Sequence, residues 1–240
     1  KEPLIQPVKS VGGLIGGEAK KLEEHRRMGK SICGTMLSKA MTYAMAVLEV
    51  NASMGVIVAA PTAGSSGVVP GVLLALQEEY QLKDEEILNG LYTAGAVGYL
   101  LMRNASVAGA EAGCQAEVGA ASAMAAAAAV EVMGGSPQMC LDAASTALSN
   151  LLGLVCDPVA GLVEAPCQTR NSMGSANALV CAEQALAGVV QMIPFDEMAE
   201  AMYHVGRSLP FELRESALGG CAGTEAACKR TCEIFGGGKA

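Results

Sequence analysis

At 240 residues the chain is long enough to bury a sizeable core in one domain, so it is no disulfide-stapled mini-protein. It holds 41 alanines and 29 glycines against eight aromatics and no tryptophan, which disfavours a β-sandwich or barrel and favours closely packed small-residue helices; the expected class is all-α. A net charge of −8 with dispersed basic residues leaves no electrostatic footprint for nucleic acid or an anionic membrane, and neither partner is expected.

Residues 1–17, with Pro3, Pro7, Gly12, Gly13, Gly16 and Gly17, read as an extended lead-in followed by turns. A charged helix is expected over about 18–28 and a second over about 31–50, where Ile32, Met36, Ala40, Tyr43, Val47 and Val50 form a stripe for the core. The β-branched run Val56 to Ala60 fits either a short strand or a buried helical segment, and Pro61 closes it. Helical character resumes over Gly71 to Leu82, and Asp84-Glu85-Glu86 reads as a cap with a first-turn acidic bias for a helix over about 85–102.

The pattern breaks at Gly113 to Gly119, and Ala120 to Met133 is so uniformly small and apolar that it reads as a buried helix. Ser136-Pro137 supplies a cap and an N1 proline for a helix to about Leu152, stopped by Gly153. Cys156 to Thr169 reads as a compact loop, followed by a helix over about 171–192 that Pro194 terminates. Asp196 caps a helix to Val205, and short helices are expected near 211–218 and 224–235, the last opened by Thr224. No repeat or linker divides the chain, so one domain over 1–240 is expected.

The uncharged stretch from Val50 to Gln77 has the length of a membrane span, but Asn51, Pro61, Pro70 and the run Thr62 to Gly67 exclude one lipid-facing helix. No secretory leader precedes the first element, so the cytoplasm is the expected compartment, and a chain opening on Lys1 reads as shortened or processed. Nine cysteines, an odd number, do not suit a disulfide scaffold in an Ala-rich chain, which leaves reduced thiols with some of them as metal ligands.

Three loops can carry chemistry. The run Pro61, Thr62, Ala63, Gly64, Ser65, Ser66 and Gly67 precedes a helix and presents amides and hydroxyls together, a cradle for a carboxylate or phosphate; an ordinary inter-helix turn is the plain alternative. The other two are Glu111 to Gly119 and Cys156 to Cys167. Cys114, Cys156 and Cys167 lie in these loops, whereas Cys140 and Cys181 fall in helical stripes and belong to the core, and Cys33 to an early helix turn. Three thiolates from separate loops suit an iron-sulfur cluster, although the spacing C-x41-C-x10-C is no generic ferredoxin or zinc-ribbon pattern and three buried unpaired thiols satisfy it equally.

The stretches Ala60-Pro61-Thr62-Ala63-Gly64-Ser65-Ser66-Gly67-Val68-Val69-Pro70-Gly71, Gly113-Cys114-Gln115-Ala116-Glu117-Val118-Gly119, Gly153-Leu154-Val155-Cys156-Asp157-Pro158-Val159-Ala160-Gly161 and Glu164-Ala165-Pro166-Cys167 resemble the α component of bacterial iron-sulfur-dependent L-serine dehydratases. The likeness runs from about Gly12 to Gly236. It implies an all-helical catalytic domain in which Cys114, Cys156 and Cys167 hold a 4Fe-4S cluster with one iron left open to L-serine. It further implies a separate β subunit, an oligomer, and the absence here of an N-terminal helical region. Cys221, Cys228 and Cys232 depart from the family pattern, and one of them reaching the open iron competes with their being ordinary surface thiols.

The implied reaction is loss of the Cα proton and the β-hydroxyl of L-serine, the open iron acting as Lewis acid, with hydrolysis to pyruvate and ammonia. For the base, Glu117 and Glu164 each lie three residues from a cluster cysteine; His25 and His204 sit in charged or helix-end settings that fit solvated residues. The substrate carboxylate falls to Thr62, Ser65, Ser66 and their loop amides, with Arg170 and Asn171; Arg170 has a cluster sulfide or a glutamate as alternative partner. Two rivals stand: a pyridoxal-phosphate dehydratase with Lys39 as Schiff base, and a non-catalytic, metal-stabilised helical subunit.

Overall fold

The computed structural model describes residues 1–236, so the last four residues of the unit expected over 1–240 lie outside the described residues. The helices in chain order are α1 (Glu2–Ile5), α2 (Glu18–Arg27), α3 (Gly34–Ala52), α4 (Val68–Tyr80), α5 (Asp84–Asn104), α6 (Gly109–Ala112), α7 (Ala120–Val132), α8 (Pro137–Asn150), α9 (Cys167–Leu186), α10 (Phe195–Ser208) and α11 (Glu225–Phe235). No β-strand occurs among the described residues, only an isolated bridge between Cys156 and Arg214, so the all-α expectation holds. No helix among the described residues is long and apolar enough to cross a membrane.

The small-residue composition is concentrated at the centre. From Ala120 to Val130 every residue of α7 is buried, so this helix has no solvent face and needs no amphipathic pattern. Helices α4, α5, α8 and α9 pack around it; α3 lies against α4 and α9, α2 against α3, and α10 against α8. Alanine on the central helix lets its neighbours approach closely, while Leu101, Leu148 and Met202 from the helices around it belong to the same buried cluster. Truncating one of those leucines to alanine would cost about 2–5 kcal/mol.

The caps at Ser136 and Thr224 form as expected, their hydroxyls accepting N–H bonds from Met139 and Ala227 at 3.3 Å each. Elsewhere the structure corrects the reading. The core side of α3 follows the expected stripe only in part: Ala40 is fully buried and Met36 packs against the core, but Ile32 precedes the helix and is 99% exposed, and Ala44 and Leu48, outside the stripe, are fully buried. Thr42 is buried on the opposite side of the helix, where its hydroxyl donates to the Ser38 carbonyl at 2.7 Å and so offsets the cost of hiding a polar group. Val56 to Ala60 is neither strand nor buried helix; it is irregular, with Val56 98% exposed.

Helix α4 begins at Val68, three residues earlier than expected, because Pro70 in its first turn has no intrahelical donor to lose. Helix α9 begins at Cys167 and ends at Leu186, so it takes in the last cysteine of the loop and stops well before Pro194. Lys83 and Pro194, not Asp84 and Asp196, occupy the cap positions of α5 and α10. The lead-in contains the short helix α1, and the segment 211–218 holds only one 3₁₀ turn, Phe211–Leu213.

Candidate active site

Three loops meet at one end of α7, and each carries its own reason for being held there. Loop 61–67 makes a 3₁₀ turn, Ala63–Ser65, before entering α4. Asn171, fully buried on α9, braces it: its amide donates to the Gly64 carbonyl at 2.7 Å and the Cys167 carbonyl at 2.9 Å, and its oxygen accepts from the Gly67 N–H at 3.0 Å. The backbone of the glycine-serine loop is thereby tied to the first turn of the cysteine-bearing helix.

The second loop passes from α6 through Gly113 and Cys114 into a π-helical turn, Gln115–Gly119, that runs straight into α7. The extra residue in that turn displaces Glu117 from regular helical phase, a distortion that recurs at functional sites. Gln115 fixes the turn from beneath: its oxygen accepts from Gly153 N–H at 2.8 Å, and its amide donates to the Ala112 and Met202 carbonyls at 3.0 Å each.

The third loop runs from Gly153 to Pro166. Its Cys156 is clasped by a returning C-terminal segment, donating N–H to the Leu213 carbonyl at 2.9 Å and accepting from the Glu215 N–H at 2.6 Å. Asp157, next to it, lies 2.7 Å from the Arg170 guanidinium, which also donates to the Val155 carbonyl at 2.8 Å. Asp157 further accepts from the Cys221 N–H at 2.6 Å. Arg170 is thus occupied inside the protein.

Cys114, Cys156 and Cys167 are all buried and free. Burial, followed by the neighbouring Glu117, pushes the Cys114 thiol up to about 12; burial and then the charge of Cys114 push Cys167 up to about 12 as well, and Cys156 upward for the same two reasons. The three sulfurs therefore lie within one another's electrostatic reach. As a donor set they are soft sulfur ligands that give up their protons only to a cationic group able to take three thiolates, which fits an iron-sulfur cluster. Among the described residues no three His, Cys, Asp or Glu side chains are spaced to grip one metal ion.

The two candidate bases are placed very differently. Glu164 is 3% exposed and accepts from the Ser10 hydroxyl at 2.8 Å, the Gly12 N–H at 2.6 Å and the Leu14 N–H at 2.9 Å, so it clamps the N-terminal segment. Glu117 is partly buried beside the thiols, with Thr62 donating to its Oε1. Thr62 is also 3.0 Å from the Ser65 hydroxyl. Burial raises the Glu117 pKa, and the charge of Glu215 adds to the rise. Ser65 and Ser66 are fully buried, and Ser66 Oγ has no hydrogen-bond partner.

Other candidates lie elsewhere. Lys39 pairs with Glu79 at 3.1 Å and Glu78 at 3.6 Å on the α3–α4 surface, and His25 and His204 are exposed. Cys140 and Cys181 are core residues as expected, while Cys221, Cys228 and Cys232 are exposed. Glu215 is the residue the sequence did not single out: it fell in a segment expected to be helical, and only the bridge to Cys156 brings it to the site.

Residues 2–222 match the family model for the serine dehydratase alpha chain. The chain is 53% identical over 212 residues to the L-serine dehydratase alpha chain of Peptoniphilus asaccharolyticus, covering 88% of this chain and 73% of that one. It is 51% identical over 233 residues to the probable L-serine dehydratase alpha chain of Bacillus subtilis, covering 97% and 78%. A similar protein from Latilactobacillus sakei, also named a probable L-serine dehydratase alpha chain, is 51% identical over 201 residues, covering 84% and 96%.

Proposed function

The chain is an enzyme of the serine dehydratase alpha chain family, and on that premise we propose that it converts L-serine to pyruvate and ammonia at the meeting point of its three loops. The observation that carries this reading is the convergence of Cys114, Cys156 and Cys167, from three separate segments, beside a carboxylate of raised pKa. The three thiolates would hold a 4Fe-4S cluster, which when bound supplies a Lewis acid for departure of the substrate hydroxyl.

The chain's own residues supply the rest. Glu117 takes the Cα proton. Thr62 holds its Oε1, so Oε2 is the atom left to act, and burial with the nearby Glu215 charge raises its proton affinity. General base catalysis of this kind contributes about 10²- to 10⁴-fold. The amides and hydroxyls of Thr62, Ser65 and their loop receive the substrate carboxylate. Asn171 and Arg170 hold the loops in register, and Glu164 pins the N-terminal segment over the cysteine loop. The aminoacrylate released then becomes the imine and takes up water.

The relatives' designation as alpha chains supports a β chain as partner, and nine free cysteines fit the reducing cytoplasm. The whole of 1–240 acts in this reading as one catalytic domain. The test is anaerobic reconstitution with iron and sulfide followed by assay of pyruvate from L-serine, with and without a candidate β chain. Visible charge-transfer absorption together with pyruvate formation is the expected result; pyruvate formation by iron-free protein would overturn the cluster assignment.

A further inference from the structure

Helix α5 has two apolar faces. Gly90, Ala94, Val97, Gly98 and Leu101 are buried on the side that packs against α7. Leu88, Leu91, Tyr92, Tyr99 and Met102 stand on the other side, between 45% and 75% exposed. At about 100° of turn per residue these five fall within about 100° of arc, centred near Gly95. A surface helix ordinarily presents polar side chains there, and a contiguous apolar stripe about 21 Å long marks a contact surface. Leu88, Tyr92, Gly95, Tyr99 and Met102 also follow the alternating four-and-three spacing of a seam between paired helices.

The stripe complements itself when reversed. Gly95 sits at its midpoint, and a Cβ there would meet no atom within 4 Å. In an antiparallel pair with a two-fold axis at Gly95, residues equally far before and after it lie level. Leu88 of one copy then faces Met102 of the other and Leu91 faces Tyr99, while the two glycines let the backbones approach at the centre. The same axis matches the charges. Glu85 and Arg103 are 18 residues apart, about five full turns, so they share one flank of the helix. The two-fold lays that flank against itself and leaves Arg103 of one copy about 3 Å along the axis from Glu85 of the other. Within its own chain Arg103 donates to the Tyr99 hydroxyl at 3.4 Å, and among the described residues neither it nor Glu85 is in an ion pair. Antiparallel alignment also sets the two helix dipoles in opposition.

We infer that two copies of this chain pair through the exposed face of α5, antiparallel and two-fold symmetric about Gly95. The occupant is a second copy, not an unrelated apolar segment, because both the order of the side chains and the charges at the two ends match when the stripe is reversed against itself. Each interface carries the Glu85–Arg103 pair twice. The assignment does not depend on the reaction given to the three loops.

Sedimentation equilibrium of the full chain under reducing conditions, alone and with a candidate β chain, tests this. The wild-type chain should sediment alone as a concentration-dependent dimer. Arg103→Glu, which sets two glutamates side by side at both ends of the interface, should weaken the dimer about 10-fold or more, and Glu85→Arg should do the same with two arginines. The double variant carrying both changes should return to within about threefold of wild type. Glu85 and Arg103 are about 27 Å apart along one helix, so such a rescue can arise only between copies. Gly95→Glu should abolish the dimer with the circular dichroism spectrum unchanged, since its side chain meets nothing in its own chain. A wild-type chain that stays monomeric up to about 100 μM would overturn the assignment, and so would a charge swap that fails to rescue. If the wild type were monomeric and Gly95→Glu instead lost binding of the β chain, the face would belong to that chain and the pairing of copies would be refuted.

Discussion

The Arg170 guanidinium lies 2.7 Å from the Asp157 carboxylate, and through that pair the first turn of α9 is fastened to the loop of Cys156. Arg170 is three residues beyond Cys167, and its second contact, to the Val155 carbonyl, reaches the other flank of Cys156. One side chain therefore sets the spacing between two of the three thiols. Asp157 is 2% exposed, so removing its partner strands a charge in the interior.

Arg170→Gln should accordingly destabilise the metal-free protein by about 3–5 kcal/mol, whereas an exposed pair such as Arg230 with Glu233 should be worth less than about 1 kcal/mol. Urea unfolding of the two variants measures this. Faster alkylation of Cys156 and Cys167 under native conditions should accompany the first substitution and not the second. Equal stability losses would show that the buried pair does not fasten the loops.

Cysteines of two kinds should respond in opposite ways. Cys114→Ala, Cys156→Ala and Cys167→Ala should each abolish bound iron and pyruvate formation together. Cys181→Ala and Cys140→Ala, in the packed interior, should cost about 1 kcal/mol of stability and leave iron content at the wild-type level. Iron quantified per chain after anaerobic reconstitution decides between them, and an active variant lacking one of the first three thiols would refute their shared role.

The parts of this arrangement that were legible in sequence are those encoded locally. The run of small residues in α7 announces a buried helix, Ser136-Pro137 announces its successor's start, and the cysteines stand out because they interrupt helical patterning. What was not legible depends on partners far away. A second side of α3 is buried at Thr42, whose hydroxyl is satisfied on its own helix, and a hydrophobic stripe does not register such a position. Glu164 looks like a base from its distance to Cys167, yet its surroundings are the amides of Gly12 and Leu14, about 150 positions earlier. Glu215 reaches the site only through backbone pairing with Cys156, and no periodicity records such a pairing.

Stability should also depend on pH through Glu49. This residue is fully buried, its Oε1 accepts from Gly17 N–H at 3.1 Å, Ala19 N–H at 2.9 Å and the Gln168 amide at 3.0 Å, and its Oε2 has no partner. Burial first, and then the charge of Glu18, raises its pKa in the folded protein. The folded state therefore keeps a proton that the unfolded chain releases in the ordinary carboxylate range. Its contribution is complete below that range and is lost as pH rises through the higher folded value. Glu49→Gln retains the Oε1 acceptor without the ionisation, so the stability gap between wild type and variant should shift in the variant's favour on going from about pH 4 to about pH 8. Urea midpoints measured across that interval would refute the argument if the gap stayed constant.

Gly64 tests the site most directly, because a side chain there touches the proposed base and little else. An added Cβ would stand 2.6 Å from Glu117 Oε1 and 3.2 Å from Val163 Cγ1, and the backbone at Gly64 is not left-handed, so alanine is sterically opposed only by its neighbours. The carboxylate end can swing aside, but doing so breaks its contact with Thr62 and moves Oε2 from its place beside Gly109 and Cys156. Gly64→Ala should therefore lower kcat by about 100-fold or more, as loss of a positioned base does, with iron content unchanged. Thr62→Val removes the same hydrogen bond without filling the space, so its kcat should fall by less. If Gly64→Ala turned over L-serine at the wild-type rate, Glu117 would not be the residue that takes the proton.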